Sequence, residues 1–199
     1  MAPSALLKIS AFAALTALLN CGGFGNVNQG RVIRYQKEQG LVTVISDSNY
    51  RDPQHPRYDV LPPVTVRLPE DPHEMGPEPQ AGMLLVRDWS NKRLLVFDAA
   101  AGVTRIIPYT LVEQFDGVSR DDPRVSRRRL PIIDRARKTV TLYGRRDRRL
   151  YTISVADEYL RLPEDTWKPG DEVRYYYKDP ARALRFMNVS KTDINRAGE

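Results

Sequence analysis

The side chains that usually perform catalysis are scarce in this sequence of 199 residues, which has one cysteine, Cys21, and two histidines, His55 and His73. It contains no G-x-S-x-G, H-E-x-x-H or P-loop pattern. A single cysteine also allows neither a zinc site built from paired thiolates nor an intramolecular disulfide. We therefore predict no catalytic residue, no bound metal and no cofactor, which leaves the thiol and the charged side chains as candidates for function.

Both histidines lie beside prolines, in the segments Asp52-Pro53-Gln54-His55-Pro56 and Glu70-Asp71-Pro72-His73-Glu74. Together with the neighbouring carboxylates they could supply nitrogen and oxygen ligands to a metal, although we favour two solvent-exposed loop histidines. The recurring pairs Glu70-Asp71 and Glu164-Asp165 could act as general acid and base. The simpler interpretation is that a Leu-Pro step followed by acidic residues marks the end of a strand, because proline has no amide hydrogen to donate to a neighbouring strand.

Cys21 directly follows an uncharged apolar segment, residues 9–19, which comes after Lys8. This segment is shorter than the about 20 residues that span a bilayer, and it has the size of a signal-peptide core. Leu18-Leu19-Asn20-Cys21 resembles a lipobox, except that Asn20 is larger than the small residue usual before the cysteine. The resemblance implies acylation of the Cys21 thiol after removal of residues 1–20. The alternatives are an ordinary secretory signal with an incidental cysteine and a buried N-terminal helix of a cytoplasmic protein.

The body of the chain has the composition of strands. Its apolar residues form short runs, several of them alternating with polar residues and separated by turn signals such as Pro169-Gly170-Asp171. One short helical turn is predicted around residues 110–115. The predicted strands cover residues 31–35, 41–46, 58–67, 83–87, 93–98, 103–108, 130–133, 139–143, 149–155, 172–177 and 184–189.

The chain also has the pattern of an internal duplication. Arg67-Leu68-Pro69-Glu70-Asp71 recurs as Arg161-Leu162-Pro163-Glu164-Asp165, and the apolar runs on either side follow in the same order in both halves. Because small sheets usually close to remove their edges, we predict an all-β fold. It would consist of two small barrel-like modules of OB or SH3 type, or of one composite β-domain. The opening hairpin loosely resembles the start of cold-shock and other OB-type barrels.

These predictions divide the chain into six segments. They are a lipoprotein signal peptide (1–20), a flexible tether (21–29), a first β-module (30–116), a charged linker (117–128), a second β-module (129–190) and a C-terminal tail (191–199). Taken whole, the lipobox and the strand-rich body resemble an uncharacterised family of lipoproteins of about this length from sulfate-reducing bacteria. That resemblance implies a location in the cell envelope, and it implies no particular activity.

Positive charge is concentrated in one stretch. Residues 118–150 contain twelve basic and four acidic residues, whereas the whole chain has a formal net charge of +6. Arginine predominates, and its guanidinium makes bidentate contacts with phosphate and carboxylate. The candidate residues for binding an anionic partner are Arg127, Arg128, Arg129, Arg145, Arg146, Arg148 and Arg149. The alternative is a solvated surface in which acidic neighbours pair with some of them.

The function that we predict is a non-enzymatic binding or assembly module in the cell envelope. Its partners would be membrane lipid, through Cys21, and an anionic envelope component or an acidic protein. Because Gly22 is not the acidic residue associated with inner-membrane retention, the outer membrane is favoured. Two alternatives from other classes are an OB-like nucleic-acid binder, which export would separate from its ligand, and an envelope hydrolase that uses acidic residues.

Replacement of the thiol tests the anchor. Thiol acylation requires the sulfur atom, so Cys21→Ser should leave the protein soluble or as an uncut precursor in cell fractionation. Mass spectrometry of the mature wild-type protein should find a modified Cys21 at the N terminus and no residues 1–20. An unmodified N terminus downstream of Cys21 would contradict the prediction.

Overall fold

The computed structural model describes residues 25–53, 55–145 and 147–192. Within these ranges the chain forms twelve strands: β1 (Asn26–Gln36), β2 (Leu41–Ser46), β3 (Val60–Arg67), β4 (Leu84–Asp88), β5 (Arg93–Asp98), β6 (Val103–Pro108), β7 (Thr110–Phe115), β8 (Ile132–Asp134), β9 (Thr139–Gly144), β10 (Arg149–Ser154), β11 (Glu172–Tyr177) and β12 (Ala183–Asn188).

Helical structure in the described ranges is confined to short segments. Two α-helices have four residues each, α1 (Pro123–Ser126) and α2 (Asp157–Leu160). Single 3-10 turns lie at Lys37–Gln39, Pro72–Glu74 and Glu164–Trp167. None of the helices in the part of the chain that the structure describes has the length and apolarity to cross a bilayer.

The strands form three antiparallel sheets, of five strands (β12-β11-β1-β2-β3), four strands (β7-β10-β9-β8) and three strands (β4-β5-β6). The predicted all-β fold is confirmed, and none of the sheets in the described ranges closes into a barrel. The five-stranded sheet takes three strands from residues 30–116 and two from residues 129–190. Of the two predicted arrangements, the composite β-domain is therefore the one that the structure has.

The first strand occupies the centre of the five-stranded sheet. It pairs with β11 from Asn26 to Arg31 and with β2 from Gly30 to Gln36. The predicted tether 21–29 is thus wrong from Asn26 onward, because residues 26–29 are part of the sheet. Gln29 is buried there and donates a hydrogen bond to Glu172. Cys21 and the remainder of residues 1–24 lie outside the described residues.

The three-stranded sheet lies between two apolar cores. Because successive side chains of a strand point to opposite faces, Leu84 and Leu94 face the four-stranded sheet, while Leu85 and Phe97 face the five-stranded sheet. Burial on both faces explains why β4 and β5 have nearly continuous apolar runs. The buried strand residues of the first core are Leu84, Leu94, Val96, Ile107, Val140, Leu142, Tyr151 and Ile153.

Three backbone segments meet where the five-stranded sheet contacts the three-stranded sheet. The Val32 amide donates to the Asp171 carbonyl (3.0 Å), and the Gly82 amide donates to the Val32 carbonyl (3.1 Å). The Asp171 amide completes the contact by donating to the Gln80 carbonyl (2.8 Å). These bonds tie β1 to the chain that enters β4 and to the chain that enters β11.

This meeting point requires glycine at two positions. A Cβ atom on Gly170 would collide with the carbonyl oxygen of Val32 and lie 2.8 Å from that of Gly82. A Cβ atom on Gly82 would likewise collide with the carbonyl oxygen of Lys168. Backbone atoms cannot rotate aside as a side chain can, so the three segments approach this closely only because both residues lack a side chain.

The two copies of the predicted duplication differ in their surroundings, and the duplication itself stays a prediction. The first Arg-Leu-Pro-Glu-Asp segment follows strand β3 and precedes a 3-10 turn, whereas the second follows helix α2. The strands around the two copies also enter different sheets. In both copies a Leu-Pro step follows the end of a regular element and precedes an acidic turn, and tertiary contacts decide which element that is.

The predicted helical turn at residues 110–115 is wrong. This segment is strand β7, which pairs with β10 in the register Leu150 opposite Phe115 and Ser154 opposite Thr110. Most of its side chains are exposed, so no apolar periodicity marks it as a strand. Pairing with a free edge about 40 residues further along the chain determines its conformation.

Substitution at the meeting point tests its importance. Gly170→Ala should lower the free energy of unfolding by about 3 kcal/mol, because the added methyl group meets backbone that cannot move away. Gly102→Ala is a suitable control, since Gly102 has φ +69° and open space around it. The free energy of unfolding of Gly102→Ala should fall by only about 1 kcal/mol, because alanine is strained in the left-handed conformation. Equal losses for the two variants in denaturant titrations would contradict the assigned role of Gly170.

Candidate functional site

The first group of predicted arginines, Arg127–Arg129, directly follows helix α1. Pro123 stands at the first helical position, where its missing amide hydrogen does no harm, and the Asp122 side chain caps the helix by accepting from the Arg124 amide (2.9 Å). All three arginines are exposed. A short capped helix therefore presents them to solvent.

Arg124 fixes the position of this helix on the sheet. Its guanidinium donates to Asp122 from Nε (2.9 Å) and from Nη2 (2.7 Å), and it lies 4.6 Å from the ring centroid of Phe115 on β7. The hydrogen bonds from Arg124 lower the pKa of Asp122 from its usual 3.8 to about 2. The helix is thus attached to the strand edge through a charged pair and an aromatic ring.

The second group lies in the turn between β9 and β10. Arg145 and Arg148 are exposed there, and Arg148 has φ 50°. Arg146 lies outside the described residues. Arg149 has a different environment, because its Nε donates to Asp116 (2.6 Å) and its guanidinium lies 4.6 Å from the ring centroid of Trp89. Arg149 is therefore already engaged within the protein.

The two groups border one cleft. Arg128 from the first and Arg145 from the second line a cavity of about 340 Å³ together with Arg31 of β1 and Arg87 of β4. Arg31 and Arg87 also line a second cavity of about 270 Å³. Four guanidinium groups from four separate parts of the chain thus surround a single space.

Apolar side chains form a large part of the remaining wall of the larger cavity. They come from the turn before β11, from β4 and β9, from α1, and from the segment between α1 and β8. These residues are Leu84, Val125, Leu130, Pro131, Leu142, Trp167 and Pro169. The cleft therefore combines an apolar wall with positive charge, a composition typical of small-molecule sites.

Arg31 is held tightly at one end of the cleft. Its Nε donates to the Tyr58 hydroxyl (3.1 Å) and its Nη1 donates to the Gly170 carbonyl (2.9 Å). Burial by itself lowers the pKa of Arg31, but Tyr58, Glu172 and Asp171 outweigh it and raise the pKa. Arg31 therefore stays charged, and two neighbouring carboxylates balance it.

Among the described residues that line the larger cavity, Asp171 is the one carboxylate. Its Oδ2 accepts from the Gln80 amide (2.8 Å) and from Asn188 Nδ2 (2.9 Å), and Lys191 Nζ lies 3.2 Å away. These partners leave Asp171 committed to the fold. The cleft consequently has an excess of positive charge.

Arg87 is less constrained than Arg31. It donates one long hydrogen bond, from Nη1 to the Tyr143 carbonyl (3.4 Å), and its charge acts on the buried Tyr151, whose pKa burial raises. No carboxylate forms an ion pair with Arg87, Arg128 or Arg145 among the described residues. Like charges without a counterion repel one another, so an anion in the cleft would relieve that repulsion.

The other sequence candidates do not converge on the cleft. His55 forms a hydrogen bond with Asp52 in an exposed loop, and His73 is exposed within the 3-10 turn Pro72–Glu74. No group of three metal-binding side chains occurs within residues 25–53, 55–145 and 147–192. Of the recurring acids, Glu70 pairs with Arg182, whereas Glu164 and Asp165 pair with Lys168.

Sequence reasoning missed Arg31, Arg87 and Trp167. Arg31 was the first residue of a predicted strand and Arg87 the last residue of another, where an isolated charge ordinarily marks a strand end. Nothing local distinguishes an arginine that faces a cleft from one that faces bulk water. Only the packing of the sheets brings these side chains together.

The fold and the cleft define an all-β domain with an arginine-lined site. Over residues 23–197 the chain matches the family described as a domain of unknown function, DUF4881, and it belongs to that family. The prediction of an uncharacterised family is thereby confirmed, and the description assigns no activity. No curated protein and no solved structure matches the chain.

Titration of Asp122 tests the attachment of helix α1. Arg124→Gln should raise the pKa of Asp122 from about 2 toward 3.8, with the backbone amide of residue 124 retaining part of the shift. Because folding lowers this pKa, the pair's contribution to stability is present above pH 3.8 and is lost as the pH falls through about 2. NMR titration of the side-chain carboxyl measures the change, and exposed Arg120→Gln is the control. An unchanged Asp122 pKa in Arg124→Gln would contradict the assigned contact.

Proposed function

We propose that this protein is a lipid-anchored lipoprotein of the cell envelope, faces the periplasm and binds phosphate-bearing envelope components without catalysing a reaction. The lipobox-like segment ending at Cys21 supports the anchor. The matched family domain begins at residue 23, so residues 1–20 lie outside it, as a removable signal would. Gly22 favours the outer membrane.

The observation that carries the binding proposal is the convergence of two basic segments. Arg128 and Arg145 are 17 positions apart in sequence, yet they line one cavity, and the flanking residues Arg127, Arg129 and Arg148 are exposed. Arg127 and Arg148 have no ion-pair partner among the described residues, and the Arg129 side chain is 86% exposed, with Glu164 at 3.9 Å. Exposed guanidinium groups of this kind suit phosphates, which they contact bidentately.

A tethered protein gains from this surface even when each contact is weak. Attraction to an anionic membrane contributes about 1 kcal/mol for each basic residue near the surface. The anchor keeps the arginines within reach of lipid head groups or lipopolysaccharide phosphates, so these small contributions add up. They must also weaken with salt, because the Debye length falls from about 10 Å at 0.1 M to about 3 Å at 1 M.

The support for a non-enzymatic role comes from the acidic residues. A hydrolase whose general acid and base are both acidic residues needs two carboxylates that converge in a concave site. In the described part of the cleft the carboxylate is Asp171, which three partners hold. Binding is therefore the function that this site supports best.

Vesicle binding tests the surface. The body of the protein without residues 1–21 should bind vesicles that contain anionic phospholipid, or lipopolysaccharide, at low salt, and should not bind neutral vesicles. Replacing Arg127, Arg129 and Arg148 by serine should weaken binding on the order of a hundredfold, since three contributions of about 1 kcal/mol are lost. Comparing the two anionic surfaces identifies which source of phosphate is preferred.

The matched control removes the same charge elsewhere. Arg93, Arg105 and Arg182 are about half exposed, and each pairs with a carboxylate. Replacing these three by serine should leave binding nearly unchanged. If both triple variants lose binding equally, the effect depends only on net charge. Binding of the protein to neutral vesicles, or binding that does not change with salt, would refute the proposal.

A further inference from the structure

We propose that the arginine-lined cleft is a binding site for a small organic oxyanion. The ligand would be a carboxylate or a phosphate monoester with an aromatic or compact aliphatic body. This goes beyond attachment to an envelope surface, because the ligand is a soluble molecule that enters the protein. The inference rests on the cavity of about 340 Å³ and on the two kinds of side chain that line it.

The charged part of the cavity suits an oxyanion. Arg87, Arg128 and Arg145 have no carboxylate partner among the described residues, so a bound anion would not compete with an existing ion pair. Arg87 borders both cavities, and its guanidinium donates a long hydrogen bond to the Tyr143 carbonyl. A planar guanidinium in that position can present two N–H groups to one carboxylate or phosphate.

The apolar part of the cavity requires more than an inorganic ion. Leu84, Leu142 and Trp167 form a wall that a bare phosphate would leave uncovered. Removing apolar area from water stabilises a complex, so a ligand with an apolar body binds more tightly than a bare ion. A cavity of this volume falls at the small end of the range for ligand sites, about 300–1,000 Å³, which fits a single ring with its oxyanion.

Trp167 adds a further polar feature to the wall. It is fully buried, and its indole N–H has no acceptor among the described residues. Buried hydrogen-bond donors almost always have an acceptor, and a buried donor without an acceptor is unfavourable. A ligand oxygen close to Trp167 would supply an acceptor that the described part of the chain does not.

The two tryptophans of the chain provide a direct readout. Trp167 lines the larger cavity and Trp89 lines the smaller one. In full-length protein held in a fixed concentration of non-ionic detergent, phenyl phosphate and benzoate should each be titrated against intrinsic fluorescence. We expect a saturable change with at least one of them. Inorganic phosphate should bind at least tenfold more weakly, and the neutral analogue benzyl alcohol should give no saturable change.

Variants separate the cleft from the exposed surface. Arg87→Gln should weaken binding of the organic anion at least tenfold, and Arg87→Lys should recover part of the loss because it restores the charge without the bidentate geometry. Arg182→Gln, which removes an exposed arginine elsewhere, is the matched control and should have no effect. Calorimetry on the same proteins checks the affinities, and circular dichroism checks the fold.

Three results would overturn the inference. They are the absence of saturable binding by either organic anion, equal binding by the neutral analogue or by inorganic phosphate, and an unchanged affinity in folded Arg87→Gln. The surface variant that lacks Arg127, Arg129 and Arg148 should still bind the organic anion. Loss of vesicle binding alone would therefore leave the cleft in place, and loss of cleft binding alone would leave the envelope attachment in place.

Discussion

The contact among three backbone segments at Val32, Gly82 and Gly170 is the constraint on which the rest of the structure depends. Its hydrogen bonds join the central strand of the five-stranded sheet to the chains that lead into β4 and β11. Without side chains at Gly82 and Gly170, the backbones approach within hydrogen-bonding distance. The relative position of the two larger sheets, with the three-stranded sheet between them, follows from this contact.

The same contact determines where the cleft lies. Arg31 is the neighbour of Val32, and its guanidinium donates to the Gly170 carbonyl. Asp171, the next residue, accepts from the chain before β4 and from Asn188 at the end of β12. One end of the cavity is therefore made of groups that also hold the sheets together, whereas the other end is made of arginines from a turn and from a short capped helix.

This division has a physical consequence for binding. Buried charge is tolerated at the Arg31 end because Glu172 and Asp171 balance it. At the other end Arg128 and Arg145 are exposed to water, where an unpaired guanidinium stays hydrated and has little effect on stability. The fold therefore does not need those arginines to be neutralised, and they remain available to a ligand or to an anionic surface.

The sequence by itself determined the local structure well and the assembly poorly. Alternation and turn residues identified eleven strands, because these signals depend on neighbours along the chain. They did not identify β7, whose exposed side chains carry no periodicity, and the duplication that they suggested stays a prediction. The basic stretch was visible as composition, since charge density needs no structure to be counted.

Only the tertiary structure decided which arginines act together. Arg149 looked equivalent to Arg148 in sequence, yet it is bound to Asp116 and lies over Trp89, residues more than 30 positions away. Arg31 and Arg87 looked like ordinary strand-end charges, yet they line the cleft with Arg128 and Arg145. The reason is that a binding site is made by contacts between distant segments, and periodicity, turn signals and charge counts describe one segment at a time.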